Sequence, residues 1–483
     1  MDLPIIEAIY FVNFLTIIAT VYFERKKPVN AIAWIFAIIL LPMFGFVIYI
    51  IFGRSLRTTH RNIFKNKKEY DALYQVWITE DKHFLDSRGK SIADKSFEKY
   101  YDIIEMNFNA NGSMYFRDND ITIFTSGEEK YTALFKDIEN ATETIHILYY
   151  SINNDDIGRK FIDLLSKKAA EGVKVRLIYD HAANWISPGK MFAPLIESGG
   201  DVCSFFPLKF GTYLRFNYRN HRKIAVIDGK YAYMGGMNIG DEYLGLHRRI
   251  KPWRDTHIRI TGTSVHCVQL RFLMDWYHAS INEREIDDSM LESLFPKPEK
   301  TGDIGLQLVS GGPDSNDEQI KRGFIKMINS SRKKIYIQTP YFIPDESFLE
   351  ALQIAATSGV DVRVMLPFVA DKMFVNRATT SYIKDLLDYG IKVYLYPGFL
   401  HSKMIIMDDE ITSIGSSNMD IRSFMLDFEI NAFIYSTKFT KKCVNIFEND
   451  MDKSKLVTKD WHNSRSLWIK FQEGLFRLFS PML

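Results

Sequence analysis

The stretch Asn220-His-Arg-Lys-Ile-Ala-Val-Ile-Asp228 recurs in altered form as Leu400-His-Ser-Lys-Met-Ile-Ile-Met-Asp408. Both copies follow the pattern His-x-Lys-x4-Asp. After six intervening residues each continues as Gly-x-x-Asn, which reads Gly235-Gly-Met-Asn238 in the first copy and Gly415-Ser-Ser-Asn418 in the second. One such motif in 483 residues would carry little weight. Two motifs with the same downstream tail indicate an internal repeat.

The flanking segments repeat as well. An apolar run at 145–150 precedes a helical stretch and a second apolar run at 172–180, and the same order recurs from 335–342 to 359–367. Alternation of strand and helix is typical of parallel α/β structure. We therefore predict an α/β body made of two repeated mixed-sheet halves, at 106–295 and 300–483, that together form a pseudo-dimer.

The first 52 residues have a different composition from the body. Residues 5–23 are almost wholly apolar, and residues 31–52 carry no charge. Each run is long enough for a membrane span, and the absence of a basic leader argues against a signal peptide, so we predict a two-helix transmembrane hairpin. Residues 53–105 are predicted to form a linker with a helix near 92–106. Basic residues after the second span favour a cell-membrane protein whose body is cytoplasmic.

Composition excludes several functional classes. The formal net charge is +2, which argues against nucleic acid as the partner because nucleic-acid-binding domains are usually strongly basic. The three cysteines, Cys203, Cys267 and Cys443, are far apart and form no Cys-x-x-Cys pair. This pattern excludes a disulfide framework and a cysteine zinc site.

Strand periodicity places the motif side chains. His221 and Lys223 lie two residues apart and share one face of a strand, as do His401 and Lys403. If the two pairs face each other, one imidazole can attack phosphorus and the other can act as general acid and base. The lysines can hold the non-bridging oxygens as negative charge develops. The prediction therefore requires no metal and no cofactor.

The carboxylates have a separate role in this scheme. Asp228 and Asp408 belong to the catalytic motifs, but their odd spacing from the histidines and the turn signal Asp228-Gly229 predict that they hold local structure near a hairpin turn. Each histidine still needs a partner that fixes its tautomer. The candidates are Asp255 and Glu429, which each open an apolar strand at a matching place after a motif.

At these residues the chain resembles the phospholipase D superfamily. The N-terminal apolar hairpin, the stretch Thr339-Pro-Tyr-Phe342 and the ending Phe479-Ser-Pro481 resemble the bacterial cardiolipin synthases within it, over essentially the whole chain. The resemblance implies two phospholipase D-type halves that act on phosphatidylglycerol in the bilayer and produce cardiolipin and glycerol. It implies His221 as the nucleophile and His401 as the acid and base, and the residues alone also permit the reverse.

Supporting residues follow from the same comparison of the two halves. Asn238, Asn418 and Ser416 are expected to contact phosphate, and the first half has Gly236 where the second has Ser416, which predicts one hydroxyl contact fewer. Basic residues around His221, with interleaved aromatic side chains, predict either an anionic headgroup funnel or an ordinary exposed loop. The basic residues are Arg215, Arg219, Arg222 and Lys223, and the aromatic ones are Tyr213, Phe216 and Tyr218.

The C-terminal segment has apolar residues at helical spacing with basic residues nearby. It predicts either an amphipathic helix on lipid or a helix packed on the body. The apolar residues are Trp468, Phe471, Leu475 and Leu478.

Three other activities compete with the transferase. A phospholipase D-type hydrolase would release phosphatidic acid with the same histidines. A nuclease of the superfamily would share the motif but would not need an apolar hairpin. A non-catalytic membrane scaffold is disfavoured because both motifs are intact.

Overall fold

The computed structural model describes residues 3–23, 28–42, 44–45, 49, 99–184, 188–207, 217–247, 250–280, 293–315 and 317–480. Residues 53–98 of the linker predicted over 53–105 lie outside the described residues, as does the end of the predicted second span at 50–52.

One mixed sheet of sixteen strands forms the centre of the body. The first half contributes β1 Tyr115–Phe124, β2 Thr144–Tyr149, β3 Lys174–Asp180, β4 Asp201–Phe205, β5 Arg219–Asn220, β6 Lys223–Ile227, β7 Tyr231–Gly235, β8 Trp253–Arg254 and β9 His257–Thr261. The second contributes β10 Ile304–Gly311, β11 Lys334–Gln338, β12 Phe342–Ile343, β13 Asp361–Pro367, β14 Lys392–Tyr396, β15 Phe399–Leu400, β16 Met404–Met407, β17 Ile411–Gly415, β18 Met419–Asp420, β19 Asp427–Tyr435 and β20 Lys455–Leu456. Four of these twenty strands are not part of the large sheet. They form two short two-stranded sheets, β12–β18 and β8–β15.

Fifteen helices accompany these strands in the described part of the chain. Those before β10 are α1 Leu3–Phe23, α2 Pro28–Leu40, α3 Tyr101–Asn111, α4 Gly127–Glu139, α5 Asp156–Ala170, α6 Pro188–Glu197 and α7 Ser264–Ala279. Those after it are α8 Gln319–Ser330, α9 Glu346–Thr357, α10 Met373–Ser381, α11 Ile383–Asp388, α12 Ile421–Met425, α13 Thr437–Asp452, α14 Lys459–Asn463 and α15 Leu467–Arg477.

The strand order is symmetric about one seam. It runs β20-β14-β13-β11-β16-β17-β19-β10-β1-β9-β7-β6-β2-β3-β4, so each strand from β10 outward to β14 has a counterpart between β1 and β4. At the seam β1 and β10 pair antiparallel, with Tyr115 opposite Gln307 and Phe116 opposite Leu306. The prediction of a mixed-sheet α/β body built from repeated halves is confirmed. The exact residue bounds of the halves stay a prediction.

The apolar core follows the same symmetry. One cluster, under α7 and α13, is continuous across the seam and includes Ile258, Leu306 and Ile430. On the other face, α4 and α5 cover the first half and α8 and α9 cover the second half with separate clusters. The continuous cluster ties the two halves into one body, because burial of apolar surface is the main favourable term in folding.

The N-terminal helices differ from the predicted hairpin. Helices α1 and α2 are in contact, and the Asn13 side chain donates a hydrogen bond to the Pro42 carbonyl at 2.8 Å. However, α2 ends at Leu40, and at thirteen residues it reaches only about 20 Å. Pro42, which has no amide hydrogen to donate, lies two residues beyond the end of α2. Among the described residues, no helix meets both the length and the hydropathy that a membrane crossing requires.

Helix α3, which overlaps the end of the predicted linker, packs on the body. Its Ile103 and Ile104 are buried in the apolar cluster of the second half. The buried Gln307 of β10 fixes the helix: its amide donates to the carbonyls of Ile104 at 3.0 Å and Ser113 at 2.8 Å. Its oxygen accepts from the Tyr435 hydroxyl at 2.7 Å.

We expect Gln307→Leu to release α3. The substitution leaves two carbonyls and one hydroxyl buried without their partner, at a cost of about 2–4 kcal/mol in the free energy of unfolding. Limited proteolysis should cut near 101–112 faster than in the wild type, and Gln353→Leu on α9 is the matched control. Equal cleavage rates in the two variants would contradict this role of Gln307.

Candidate active site

Two short parallel contacts between the halves build the site. Strand β5 pairs with the start of β19, which places Asn220 opposite Phe428. Strand β15 pairs with β8, which places Leu400 opposite Arg254. Each pair joins the residue before a motif histidine to the residue before a candidate carboxylate. The next residues along the chains are therefore brought together.

Each histidine is bound by a carboxylate of the opposite half. His221 Nδ1 lies 2.8 Å from Glu429 Oε1, and His401 Nδ1 lies 2.7 Å from Asp255 Oδ2. The backbone repeats the crossing, since the His221 amide donates to the Phe428 carbonyl at 2.9 Å. Both candidate carboxylates thus lie where a tautomer-fixing partner is needed, and each serves the motif of the other half.

These contacts determine the tautomer of both rings. An ionised carboxylate can only accept, so Nδ1 must carry the proton that it donates to Glu429 or Asp255. In the neutral ring Nε2 is then left with its lone pair. Both histidine side chains are largely buried, with 13% and 10% exposed. A buried imidazole with a fixed tautomer is suited to nucleophilic or acid–base work.

The motif lysines complete a compact cationic group. Lys223 and Lys403 are buried, and each ammonium donates to the carbonyl of the histidine two residues before it. Burial lowers the pKa of Lys223 to about 7, and it lowers the pKa of Lys403 to about 8. A bound anion would raise the pKa of both ammonium groups, because a nearby negative charge favours their charged form.

The histidines respond to the same environment. Burial, followed by the positive charge of Lys403, lowers the pKa of His401 to about 4. Burial, followed by the charge of Lys223, also lowers the pKa of His221 well below its usual value. Each histidine is also influenced by the lysine of the other half. The two histidines and two lysines therefore form one electrostatic unit, in which the two ammonium groups suit a phosphodiester.

Comparison with known proteins agrees with this geometry. A family model described as cardiolipin synthase, phospholipase D-like domain, matches residues 134–249 and 324–451. The chain belongs to the cardiolipin synthase family of the phospholipase D superfamily. It is therefore an enzyme of the phosphatidyltransferase class. A second model, described as phospholipase D-nuclease N-terminal, matches residues 11–54.

Individual relatives cover nearly the whole chain. The cardiolipin synthase of Listeria welshimeri is 44% identical over 466 residues, which is 96% of each protein. That of Staphylococcus aureus strain Mu50 is 43% identical over 476 residues, covering 98% of this chain and 95% of the relative. The crystal structure of phosphatidylserine synthase from Haemophilus influenzae has the same fold, with a TM-score of 0.60, 17% identity, and coverage of 80% of this chain and all of that one.

The motif aspartates lie away from the histidines, at the β6–β7 and β16–β17 turns. Asp228 accepts hydrogen bonds from the backbone amides of Thr142, Glu143 and Thr144, each at 2.9 Å. Asp408 makes the equivalent contacts with the amides of residues 332–334. These contacts tie each hairpin to the start of the neighbouring strand, and a catalytic part for the two aspartates stays a prediction.

Gly236 lies against Asp255, and the expected loss of a phosphate contact there stays a prediction. A β-carbon at this position would lie 2.0 Å from Asp255 Oδ1, so the glycine makes room for the carboxylate that binds His401. The hydroxyl of its counterpart, Ser416, bonds with the backbone of Ile430 and stays in the protein interior. The difference between Gly236 and Ser416 therefore goes with the different carboxylates of the site, Asp255 and Glu429.

The two motif asparagines have different surroundings. The Asn238 amide donates to the Tyr243 hydroxyl at 2.8 Å, and its oxygen accepts from the Ser151 amide. In the described part of the chain, the buried oxygen of Asn418 has no hydrogen-bond partner. Their contact with phosphate stays a prediction, and Asn418 has the greater unused capacity for hydrogen bonding.

The basic cluster around His221 is only partly described. Arg222 is buried and forms an ion pair with Asp275 at 2.7 Å, and Arg219 is buried with Asp180 4.0 Å away. These two arginines are therefore not part of an exposed headgroup funnel, because carboxylates neutralise them within the body. Residues 208–216, which include Tyr213, Arg215 and Phe216, lie outside the described residues.

Sequence reasoning missed two tyrosines of the site. The ring of Tyr150 packs edge-on against the ring of His221 at 5.0 Å, and Lys223 Nζ lies 5.3 Å from the same ring. In the second half the Tyr341 hydroxyl donates to Asp371. Tyr150 directly follows β2 and Tyr341 lies three residues beyond β11, near the end of a parallel strand, where α/β sheets place their ligands. This position was the signal that could have identified them.

We expect Gly236→Ser to impair the Asp255–His401 pair. The new side chain displaces the carboxylate, so kcat should fall about 10- to 100-fold through loss of the orienting bond. Gly189→Ser on α6, where a β-carbon meets nothing within 4 Å, is the matched control. The measurement is kcat together with the NMR shift of the His401 ring. Unchanged values for both would contradict the packing argument.

Proposed function

We propose that the protein transfers a phosphatidyl group from one phosphatidylglycerol to another, giving cardiolipin and free glycerol through a phosphohistidine. The observation that carries the proposal is the pair of crossed histidine–carboxylate contacts, each beside a buried lysine. One phosphodiester replaces another, so no activated donor is required. A group transfer of this kind needs two imidazoles with different protonation, which a pseudo-symmetric site can supply.

In the first step His221 Nε2 attacks phosphorus of the donor lipid. A phosphorus–nitrogen bond forms, the bond to the glycerol oxygen breaks, and His401 gives its proton to the departing alkoxide. The negative charge of the bound phosphodiester opposes the effect of the lysines and so raises the pKa of His401 for this role. Glu429 holds the positive charge that develops on the His221 ring.

In the second step the direction is reversed. The primary hydroxyl of a second phosphatidylglycerol gives its proton to His401 and attacks phosphorus, which releases His221. Lys223 and Lys403 remain close to the non-bridging oxygens throughout and stabilise the negative charge that builds there. The family resemblance supports His221 as the nucleophile, while the two pairs have nearly equal geometry.

The N-terminal segment is proposed as a membrane anchor. Helix α1 exposes apolar side chains along its length, among them Tyr10, Phe11, Phe14, Ile18 and Val21. A helix with this surface fits lipid better than water. The basic residues between 54 and 68 support a body on the cytoplasmic side of the cell membrane. Both lipids, phosphatidylglycerol and cardiolipin, would reach the site from this membrane.

A product assay tests the reaction. Purified protein in phosphatidylglycerol vesicles should form cardiolipin and glycerol in equal amounts. His221→Ala and His401→Ala should each abolish turnover, since neither ring can do both tasks, while His462→Ala, a buried histidine of α14, should keep it. Phosphatidic acid as the main product would instead identify a hydrolase.

A donor with a good leaving group separates the two histidines. Phosphatidyl-p-nitrophenol needs no acid for its departure, so His401→Ala should still release one equivalent of nitrophenol and form a phosphoenzyme. His221→Ala should release none. The opposite pattern would exchange the assigned roles.

The lysines predict an alkaline limit for kcat/KM. In the free enzyme the ammonium groups lose their protons as pH rises through the values of about 7 and 8, so kcat/KM should fall over this range. Bound phosphate raises both pKa values, and kcat should therefore fall only at higher pH. The Lys403→Arg side chain stays charged at high pH, so the part of the decrease in kcat/KM that Lys403 causes should move to higher pH. A flat profile across this range would contradict the role of the lysines.

A further inference from the structure

The C-terminal helix α15 presents its apolar side chains outward. Leu467 is 84% exposed, Trp468 65% and Phe471 61%, and Leu478 just after the helix is 77% exposed. The rings of Trp468 and Phe471 stack on each other at 5.7 Å. A helix on the surface of a soluble body normally turns such residues inward, so this arrangement indicates contact with something other than water.

Polar contacts hold the helix in this orientation. Glu473 is buried, and it accepts hydrogen bonds from the Thr380 hydroxyl at 2.7 Å and from the Arg465 guanidinium at 2.5 Å. Arg477 forms an ion pair with Asp385 at 2.6 Å. The only acid of α15 is thus turned inward, and a rotation that buried the apolar side chains would break these contacts.

The exposed apolar surface continues beyond α15. Helix α10, which packs along α15, exposes Met373 and Phe374, and Phe368 just before it is 58% exposed. We call these three residues, together with Trp468 and Phe471, the outer apolar face. A single exposed apolar residue needs no explanation, whereas several on two packed helices mark an interaction surface.

The outer apolar face borders the active site. Residues 368–372 join the end of β13 to α10, and the amide of Val369 donates to the carbonyl of Gly398, three residues before His401. Asp371 in the same segment accepts the Tyr341 hydroxyl and acts on the charge of Lys403. A partner bound to this face therefore lies beside the histidines.

We propose that the outer apolar face rests on the lipid bilayer that holds the substrate, at the boundary between headgroups and acyl chains. The proposal rests on the proposed function, because a diacyl substrate must leave the bilayer next to the site. The charges on α15 agree, since its acid Glu473 is buried, whereas the cation Lys470 is partly exposed and, among the described residues, bonds to the Asn463 carbonyl. This cation would meet anionic headgroups favourably, whereas a second copy of this face would bring a second cation of the same sign.

Fluorescence quenching tests the contact without turnover. The full-length protein is reconstituted in vesicles of phosphatidylglycerol brominated on its acyl chains, and the difference between wild type and Trp468→Phe isolates the emission of Trp468 among seven tryptophans. We expect brominated lipid to remove most of this emission and acrylamide in the water phase to remove little. Quenching by acrylamide alone, or by neither agent as in a protein–protein contact, would overturn the proposal.

A substrate comparison tests its consequence. Phe471→Glu should lower kcat/KM for phosphatidylglycerol in vesicles about tenfold, since an apolar side chain that leaves lipid forfeits an energy of this order. The same variant should act normally on short-chain phosphatidylglycerol in monomeric solution. Ile354→Glu on α9, at 54% exposure, is the matched control. Equal loss on both substrates, or no loss on vesicles, would overturn the proposal.

The two proposals can fail separately. If neither form of phosphatidylglycerol is a substrate of the wild type while Trp468 is still quenched by lipid, the proposed function fails and the lipid contact of the outer apolar face stands.

Discussion

The whole site depends on the crossing of two short parallel contacts between the halves. Because β5 pairs with β19 and β15 pairs with β8, each imidazole meets a carboxylate that is far away in the chain, at separations of 208 and 146 residues. Neither half contains a complete histidine–carboxylate pair. The orientation of both rings is therefore a property of the assembled body.

The large sheet makes this crossing precise. The seam between β1 and β10 is antiparallel and lies over an apolar cluster that extends into both halves. Close packing of this kind resists small displacements, so the register at the seam fixes the distance between the motifs. The motif aspartates contribute indirectly, since Asp228 and Asp408 hold the turns that follow β6 and β16.

Local patterns predicted the repeated halves and singled out Asp255 and Glu429 as candidate partners of the histidines, because these depend on period and spacing. They did not predict which carboxylate serves which histidine, since that follows from long-range strand pairing. The placement of α3 on the second half and the burial of Arg222 were likewise decided by tertiary contacts. Gly236 could be understood only once Asp255 was seen beside it.

The contrast between Gly236 with Asp255 and Ser416 with Glu429 has a consequence for how such a protein can change over time. The shorter carboxylate lies against the backbone at position 236 and leaves no space for a side chain there. An exchange at either member alone meets a steric or an orientational penalty, so the two positions are epistatic. The halves of a duplicated ancestor that settle on different pairs cannot drift back one residue at a time. Their asymmetry is then retained as a historical constraint, even where the chemistry itself would accept symmetry.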